Sequence, residues 1–298
     1  MNRSYITVAS VLVLLTTSSF GWPYKRRDAF DNLIDTPNAL VSYLENLGQA
    51  LYGLPNNETG QKVAEWHEGM PVNPEELGNY AEGDILFPIT LGRNGLKAES
   101  ARWPNGVIPY MITGFSCFVD DTQRKLIHDA MEEYHKYTCI KFKPYTGEES
   151  DYIRITAGTT GCWSSVGRIG GRQDVNLQVP GCVTKKGTVI HELMHAVGFF
   201  HEQSRYERDE YVTIQWNNIM NGHENNFEKA SKDLTDAFGV GYDYGSVMHY
   251  SAYAFSKNGQ QTIVPKVSKL GQREGLSKRD IQKIRKMYRC HSRKRSYN

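Results

Sequence analysis

The chain has 298 residues, of which 39% are hydrophobic and 23% charged, so it can bury one large core even after losing an N-terminal leader. No fixed-period repeat or low-complexity tract is present, which excludes a repeat array. The net charge of +2 is divided unevenly: residues 22–93 carry five basic and eleven acidic side chains, a balance of −6, whereas residues 94–298 carry 29 basic and 22 acidic side chains, a balance of +7.

This asymmetry indicates that the acidic segment shields the basic one, and that the basic part favours acidic partners. A basic region can also bind nucleic acid. Here the lysines and arginines are dispersed along the sequence and the protein is expected to be exported, so we predict no nucleic-acid partner.

The first 21 residues have the pattern of a secretory signal peptide. Arg3 precedes a short apolar run over residues 8–15, and Ser19 and Gly21 lie three and one residues before a cut at Trp22. A buried N-terminal helix is the alternative, but the flanking residues favour a signal. The run is too short to span a membrane and no later stretch could anchor the chain. The sequence therefore predicts a secreted, extracellular product without a membrane anchor.

Residues 22–93 are predicted to form a pro-segment. Residues 40–52 have helical spacing, and residues 53–60 are rich in turn-forming types. Asn57 begins an Asn-Glu-Thr glycosylation acceptor, which predicts an exposed loop at that position.

Residues 94–298 are predicted to form one α+β domain, because strands and helices mix without regular alternation. Apolar periodicity predicts strands and helices. The strands are expected over residues 107–108, 110–112, 152–156 and 175–179, and the helices over residues 121–137, 188–200 and 277–288.

The predicted helix 188–200 carries a candidate metal motif. His191 and His195 are four residues apart, which places two imidazoles on one helical face, as zinc ligands require. Taken alone, the spacing also allows the less favoured alternative of two histidines on a helix surface. Gly198 can end the helix in a left-handed conformation and turn the chain back, so that His201 supplies a third ligand.

Three neutral imidazoles leave one zinc position open for water, which is typical of a catalytic site and not of a structural one. We therefore predict one zinc ion per chain. Glu192, between the ligands, is placed to take a proton from that water and to pass it to a leaving amine.

Five cysteines occur, at positions 117, 139, 162, 182 and 290. In an oxidising compartment most should pair, and the odd count leaves one over.

Two blocks of sequence carry a family resemblance. The run HELMHAVGFFHEQSRYERD over residues 191–209 closely resembles the signature of the astacin family of metzincin zinc proteases, and SVMHY over residues 246–250 resembles the Met-turn of that family. The similarity extends from Arg102 to Cys290.

The resemblance implies a two-lobed fold: a twisted mixed sheet with helices, and a less regular lobe across an active-site cleft. It implies that Met248 packs beneath the zinc and that Tyr250 stabilises the tetrahedral intermediate. Without the family, these two would be an ordinary core methionine and a buried aromatic. Family spacing pairs Cys162 with Cys182 and Cys139 with Cys290, leaving Cys117 alone. The edge strand near Cys162, Trp163 and Ser164 should align the substrate.

The resemblance also reaches the pro-segment. Glu82-Gly83-Asp84-Ile85 is similar to the family's inhibitory motif, whose aspartate is a zinc ligand only in the zymogen, although Ala81 replaces the usual aromatic. Arg93-Asn94 offers a cut to an activating trypsin-like protease. The new amine at Asn94 should then approach Glu202, which receives the N-terminus in this family.

Arg273 lies where the family places a residue in the pocket for the side chain after the scissile bond. A solvated loop arginine is the alternative. A guanidinium in a partly dehydrated pocket would favour Asp or Glu in a protein or peptide substrate.

Two rival functions remain open. A secreted binding protein could keep zinc without catalysis, but such a protein typically loses the general base, and Glu192 is present. A zinc hydrolase of small molecules is the other, and the Met-turn favours a peptidase. The residues do not identify the physiological substrate or the oligomeric state.

Overall fold

The computed structural model describes residues 54–86, 99–113, 121–230 and 235–290. The predicted signal peptide, the helical patch 40–52, the Arg93-Asn94 cut and Cys117 lie outside these ranges. The described helices are α1 (Asn57–Ala64), α2 (Asp121–Tyr137), α3 (Lys186–Val197) and α4 (Lys278–Met287). The described strands are β1 (Val107–Ile112), β2 (Lys141–Pro144), β3 (Tyr152–Thr156), β4 (Cys162–Ser164), β5 (Arg172–Leu177), β6 (Val212–Ile214) and β7 (Ile263–Pro265).

Five strands form a mixed sheet in the order β2-β1-β3-β5-β4. The first four run parallel, and β4 pairs antiparallel with β5 at the edge. In β3 the buried Ile153 and Ile155 alternate with partly exposed residues, because successive side chains of a strand point to opposite faces. The α+β fold predicted from the sequence is confirmed.

The main core lies between this sheet and helices α2 and α3. Helix α2 buries Ile127, Ala130, Met131 and Tyr134 on one stripe, and its bounds agree with the predicted helix. Helix α3 is buried over its whole length from Gly187 to Val197, as expected of a helix with apolar residues on every side.

A second core lies in the less regular part of the chain. The short antiparallel pair of β6 and β7 contributes Val212, Ile214 and Ile263, which pack with Phe227 and Tyr250. Tyr250 therefore joins this second core to the metal motif, because its ring lies 4.7 Å from that of His201.

Side chains from distant parts of the chain hold the carboxyl end of α3. Trp103 donates its indole N–H to the Ala196 carbonyl (2.8 Å), and Tyr288 donates its hydroxyl to the Val197 carbonyl (2.7 Å). The last carbonyls of a helix have no partner within it, so these bonds satisfy groups that burial would otherwise penalise. Gly198 ends the helix with φ of 126°, a conformation that strains other residues.

The two disulfides implied by the resemblance are formed, Cys139–Cys290 and Cys162–Cys182. The expected strand 175–179 begins earlier and ends earlier, at Arg172 and Leu177. The prediction of a loop around Asn57 is wrong: Asn57 opens α1, because the Asn56 side chain caps the helix by accepting the Thr59 N–H at 3.1 Å. Asn57 itself is exposed, as predicted.

None of the helices in the described ranges combines the length and the apolar character needed to cross a membrane.

Candidate metal centre

Helix α3 places His191 and His195 one turn apart, and the turn at Gly198 returns His201 to the same point. The three imidazoles are nearly inaccessible to solvent, with exposed fractions of 0%, 0% and 2%. Their ligand atoms and a carboxylate oxygen of Asp84 all lie within 4.8 Å of one another. The four predicted ligands are thus brought together, including Asp84 of the predicted pro-segment.

Each imidazole is oriented through its outer nitrogen. His191 Nδ1 lies 2.8 Å from the Val247 carbonyl, and His195 Nδ1 lies 2.7 Å from the Phe199 carbonyl. His201 Nδ1 lies 2.7 Å from the carboxylate of Glu82. An acceptor at Nδ1 fixes the proton there and leaves Nε2 as a free ligand atom directed at the centre.

The separations among these ligand atoms fit a zinc ion. Asp84 oxygens lie 2.9, 3.3 and 3.3 Å from Nε2 of His191, His195 and His201, and the Nε2 atoms of His191 and His201 are 3.1 Å apart. Bonds of about 2.0–2.1 Å in a tetrahedron bring ligand atoms to roughly 3.3 Å from one another. His195 Nε2 and Asp84 Oδ1 are buried without a hydrogen-bond partner in the described chain, which a metal would satisfy.

The electrostatics of the cluster also favour a cation. Burial lowers the pKa of His191 to about 4, so this imidazole is neutral at physiological pH, as a metal ligand must be. Against the opposing effect of burial, Asp84 and then Glu82 raise the pKa of His201 to about 10. Burial alone would raise the pKa of Asp84, but His201 and His195 hold it well below its usual range. The carboxylates therefore create a site that attracts positive charge.

Glu192 is fully buried beside the ligands. Burial, reinforced by the nearby carboxylate of Asp84, raises its pKa well above the usual value. Neither of its carboxylate oxygens has a hydrogen-bond partner among the described residues. An unpartnered buried carboxylate is costly, and such groups occur where chemistry requires them.

Residues 82–86, which belong to the predicted pro-segment, cross the centre and then follow the sheet edge. Ser164 N donates to the Asp84 carbonyl at 2.9 Å, Leu86 N donates to the Ser164 carbonyl at 3.0 Å, and Ile85 pairs with Ser164 in a parallel bridge. Trp163, next to Ser164, packs edge-on against Tyr80 with 6.3 Å between ring centroids. Cys162, Trp163 and Ser164, predicted to align the substrate, form the edge strand β4, and residues 84–86 pair with it at Ser164.

Arg273 is buried, and its guanidinium pairs with the carboxylate of Glu75. Its Nε donates to Glu75, and its Nη1 donates to the carbonyls of His249 (3.2 Å) and Gln272 (2.8 Å). The Gln272-Arg273 loop can lie against α3 because Gly187 has no Cβ: a Cβ there would lie 2.1 Å from the Arg273 carbonyl. The alternative of a solvated loop arginine is wrong, since the side chain is 0% exposed.

The Met-turn residues are buried under the site. Met248 is 0% exposed, and Tyr250 donates its hydroxyl to the Glu82 carbonyl at 2.5 Å. The turn is held by Asp280 of α4, which accepts from the Ser246 hydroxyl (2.6 Å) and from Val247 N–H (2.9 Å). Because Val247 orients His191, this carboxylate supports the centre from a distance.

Glu202 lies at the centre of an ion-pair network. Its carboxylate accepts from Lys283 at 2.7 Å, from Arg205 at 2.8 Å and from Asp243 N–H at 2.8 Å. It borders a cavity of about 60 Å³ that Phe199 also lines. Asn94, whose amine was predicted to reach Glu202, lies outside the described residues.

Sequence reasoning missed three supporting carboxylates: Glu75, Glu82 and Asp280. The capping box that Asp280 forms with Ser277 is visible in the sequence, but its second role is not. Glu82 belongs to the motif Glu82-Gly83-Asp84-Ile85 and Glu75 lies shortly before it, but the sequence shows the role of neither, since their partners lie more than a hundred residues away.

Comparison with known proteins gives one family. The sequence model of the peptidase family described as Astacin matches residues 95–289. Zinc metalloproteinase nas-4 of Caenorhabditis elegans is 42% identical over 262 residues, covering 80% of this chain and 81% of that protein.

Other relatives are longer than the matched region. Zinc metalloproteinase nas-13 of C. elegans is 50% identical over 74% of this chain and 48% of its own length, and meprin A subunit beta of Rattus norvegicus is 42% identical over 73% and 30%. The chain thus spans less than half of these two proteins. Among solved structures, high choriolytic enzyme 1, a hatching enzyme zinc-protease of medaka, matches 66% of this chain and all of its own at 39% identity, with a TM-score of 0.60.

Proposed function

The chain belongs to the astacin family of zinc metallopeptidases and is a zinc-dependent endopeptidase, and we propose that it is a secreted zymogen whose active form favours Asp or Glu directly after the cleaved bond. The observation that carries the proposal is the path of the pro-segment: Asp84 lies among the three histidines while Glu75 pairs with Arg273.

The residues divide the chemistry among them. His191, His195 and His201 hold the zinc, which supplies Lewis acidity when bound, making water nucleophilic near neutral pH and polarising a carbonyl oxygen. Glu192 takes a proton from the attacking water and delivers it to the leaving nitrogen. Tyr250, once its hydroxyl is released from the Glu82 carbonyl, donates a hydrogen bond to the oxyanion that develops.

The edge strand β4 receives the substrate backbone. Its Ser164 N–H and C=O bind the pro-segment backbone in the present structure, so the same groups are available to an extended peptide after the pro-segment leaves. An extended substrate is an unfolded or loop segment, which is why a protein such as casein is a suitable probe. A small ester or acetylated substrate has no extended backbone to pair with this edge strand.

Arg273 defines the pocket for the acidic side chain. Glu75 shows that a carboxylate fits against the guanidinium in a buried setting, where charge-assisted hydrogen bonds are strong. A hydrogen bond to a charged group contributes about 1.5–3 kcal/mol, which corresponds to a preference of about 10–100-fold over a neutral residue.

Latency, export and activation complete the proposal. Residues 1–21 would direct secretion, residues 22–93 would form the inhibitory pro-segment, and residues 94–298 would form the catalytic domain after a trypsin-like cut. Two disulfides fit an oxidising compartment. Because several relatives are longer than the matched region, the physiological substrates and partners are not assigned.

The test is cleavage-site profiling of a peptide library by the trypsin-treated chain, with N-terminal sequencing of the active form. We expect Asp or Glu to be enriched after the cut bond, Arg273→Ala to abolish most of the enrichment, and the active form to begin at Asn94. Arg285→Ala, which removes an exposed positive charge from α4, is the matched control and should change nothing. Unchanged enrichment in Arg273→Ala would refute the pocket assignment, and activity before any cut would refute latency.

A further inference from the structure

The three zinc ligands differ in which part of the chain orients their imidazole rings. His191 and His195 donate from Nδ1 to backbone carbonyls of Val247 and Phe199, which belong to the catalytic domain. His201 instead relies on Glu82, a residue of the pro-segment. If the pro-segment is removed, two ligands keep their outer partners and the third loses its own.

The contact between Glu82 and His201 is close and buried. One carboxylate oxygen of Glu82 accepts from His201 Nδ1 at 2.7 Å and lies 3.4 Å from the His201 backbone nitrogen. Both side chains are nearly inaccessible, at 2% exposure for each residue. Glu82 holds this position in a left-handed conformation, with φ of 48°, which is uncommon for a residue with a side chain. The surrounding turn therefore places this carboxylate against the ligand at a conformational cost.

A carboxylate behind a metal-bound imidazole has a known physical effect. It fixes the tautomer and the ring orientation, and its charge makes Nε2 a stronger electron donor to the metal. A neutral backbone carbonyl orients the ring but contributes less charge. Loss of such an outer partner typically costs about 10–100-fold in metal affinity.

We propose that Glu82 is a positioning residue for the third zinc ligand, so that the pro-segment raises the zinc affinity of the zymogen from behind His201 as well as through Asp84. The inference rests on the proposed zymogen function. It implies that the metal is acquired and held most tightly before activation, and that the active enzyme yields its zinc to chelators more readily than its precursor does.

The test measures zinc affinity of the full, uncleaved chain by competition with a chromogenic chelator, so no catalytic activity is needed. Glu82→Gln keeps the shape and an acceptor but removes the charge, and we expect it to weaken zinc binding several-fold. Glu82→Ala removes the acceptor as well and should weaken it by about 10–100-fold. Glu68→Gln, an exposed carboxylate of the same segment, is the matched control and should bind zinc as the unmodified chain does.

Thermal unfolding of the metal-free variants separates positioning from a general loss of stability. If Glu82→Gln binds zinc as tightly as the unmodified chain, the proposal is overturned, whatever the stability of Glu82→Ala. A second comparison uses trypsin-cleaved protein: unmodified and Glu82→Gln chains should then bind zinc equally and more weakly than the uncleaved unmodified chain. A difference that persists after residue 82 has been removed would also overturn the proposal. Failure of trypsin to activate the chain would count against the proposed zymogen and would leave the uncleaved comparison decisive for Glu82.

Discussion

Helix α3 and the predicted pro-segment contribute to one centre in different ways. Helix α3 carries two ligands and Glu192 within five residues, and the third ligand follows a single glycine turn. The pro-segment contributes Glu75, Glu82 and Asp84, and each of these meets a partner more than a hundred residues away. The residues that hold the metal and move the proton thus lie close together in the sequence. The contacts that would block the site join residues far apart in the sequence.

The two regions also differ in what their burial does. The buried groups of α3 are aimed at a metal and a substrate, and Glu192 has no partner in the described chain. In the predicted pro-segment, the buried carboxylates of Glu75 and Glu82 are paired with Arg273 and His201, groups that a substrate or a metal would otherwise use. If these contacts make the chain latent, as proposed, a change in helix α3 should affect catalysis and a change in the predicted pro-segment should affect latency.

The largest effect is expected from Glu192→Gln. The amide keeps the shape of the side chain and cannot accept the proton of the attacking water, so turnover of casein by the trypsin-treated chain should fall by about 10²–10⁴-fold. The zinc content should be unchanged, because the three imidazoles keep their orienting partners. Atomic absorption beside the activity assay checks both parts, and near-normal turnover in a zinc-replete variant would contradict the assigned role.

Glu202→Gln should show that the catalytic domain also relies on a long-range pair. Lys283 is buried, and its remaining partner Asp280 lies at 3.2 Å, so loss of the Glu202 charge should cost about 3 kcal/mol of unfolding free energy at neutral pH. Denaturant unfolding of the trypsin-treated chain measures this loss. An equal stability of the two proteins would show that Asp280 alone compensates Lys283.

The pH dependence of this difference has a definite sign. Burial alone would raise the pKa of Glu202, but Lys283 and Arg205 lower it below the value of 4.5 that the residue has in the unfolded chain. Its stabilising contribution is therefore complete above about pH 4.5 and is lost as the pH falls through the lower folded pKa. The stability gap between the unmodified chain and Glu202→Gln should narrow in that acidic range. A gap that widens on acidification would mean that another group dominates.

Latency should depend on the buried carboxylates of the predicted pro-segment. Glu75→Gln removes the carboxylate that accepts from Arg273 Nε and leaves the buried guanidinium only the more distant carboxylate of Glu76, 4.0 Å from Nη2, so the uncleaved chain should open more often and hydrolyse casein about 10–100-fold faster than the unmodified chain. Asp84→Ala should leak as well, because it removes the carboxylate from the zinc position. Glu68→Gln is the control for both. A silent Glu75→Gln with a leaky Asp84→Ala would confine latency to the metal contact.

Much of the secondary structure could be predicted from the sequence because it follows local apolar periodicity. Helix α2 repeats apolar residues at helical spacing, and strand β3 alternates them, so both agree with the predicted bounds. The two zinc ligands on α3 and the glycine that ends it are likewise a matter of spacing along the chain. The disulfides came from family spacing and not from the residues themselves.

The predictions differ from the structure where one residue type can form two kinds of local structure. Asn56 was interpreted as part of a turn, yet the same side-chain acceptor that forms turns can cap a helix, and here it begins α1. Strand β5 begins at polar residues that periodicity does not select, because pairing with β3 fixes it from Arg172 onward. The pairs of Glu75 and Glu82 require the fold itself, since no local pattern brings together residues 198 or 119 positions apart.

The smallest effect is expected from Tyr250→Phe, and it joins the two regions most directly. The Tyr250 hydroxyl donates to the Glu82 carbonyl in the uncleaved chain, and under the proposed zymogen function it would donate to the developing oxyanion after activation. A neutral donor of this kind contributes about 0.5–1.5 kcal/mol, so kcat should fall by about tenfold or less while KM changes little, because the bond is made in the transition state and not to the bound substrate. The ring itself should stay in place, since it packs against His201, Phe227 and Phe255 without the hydroxyl.

Steady-state kinetics on a peptide with an acidic residue after the scissile bond measures how the effect of Tyr250→Phe divides between kcat and KM. A rise in KM with an unchanged kcat would assign the hydroxyl to substrate binding, and an unchanged kcat/KM would leave its contact with Glu82 as a feature of the latent chain alone.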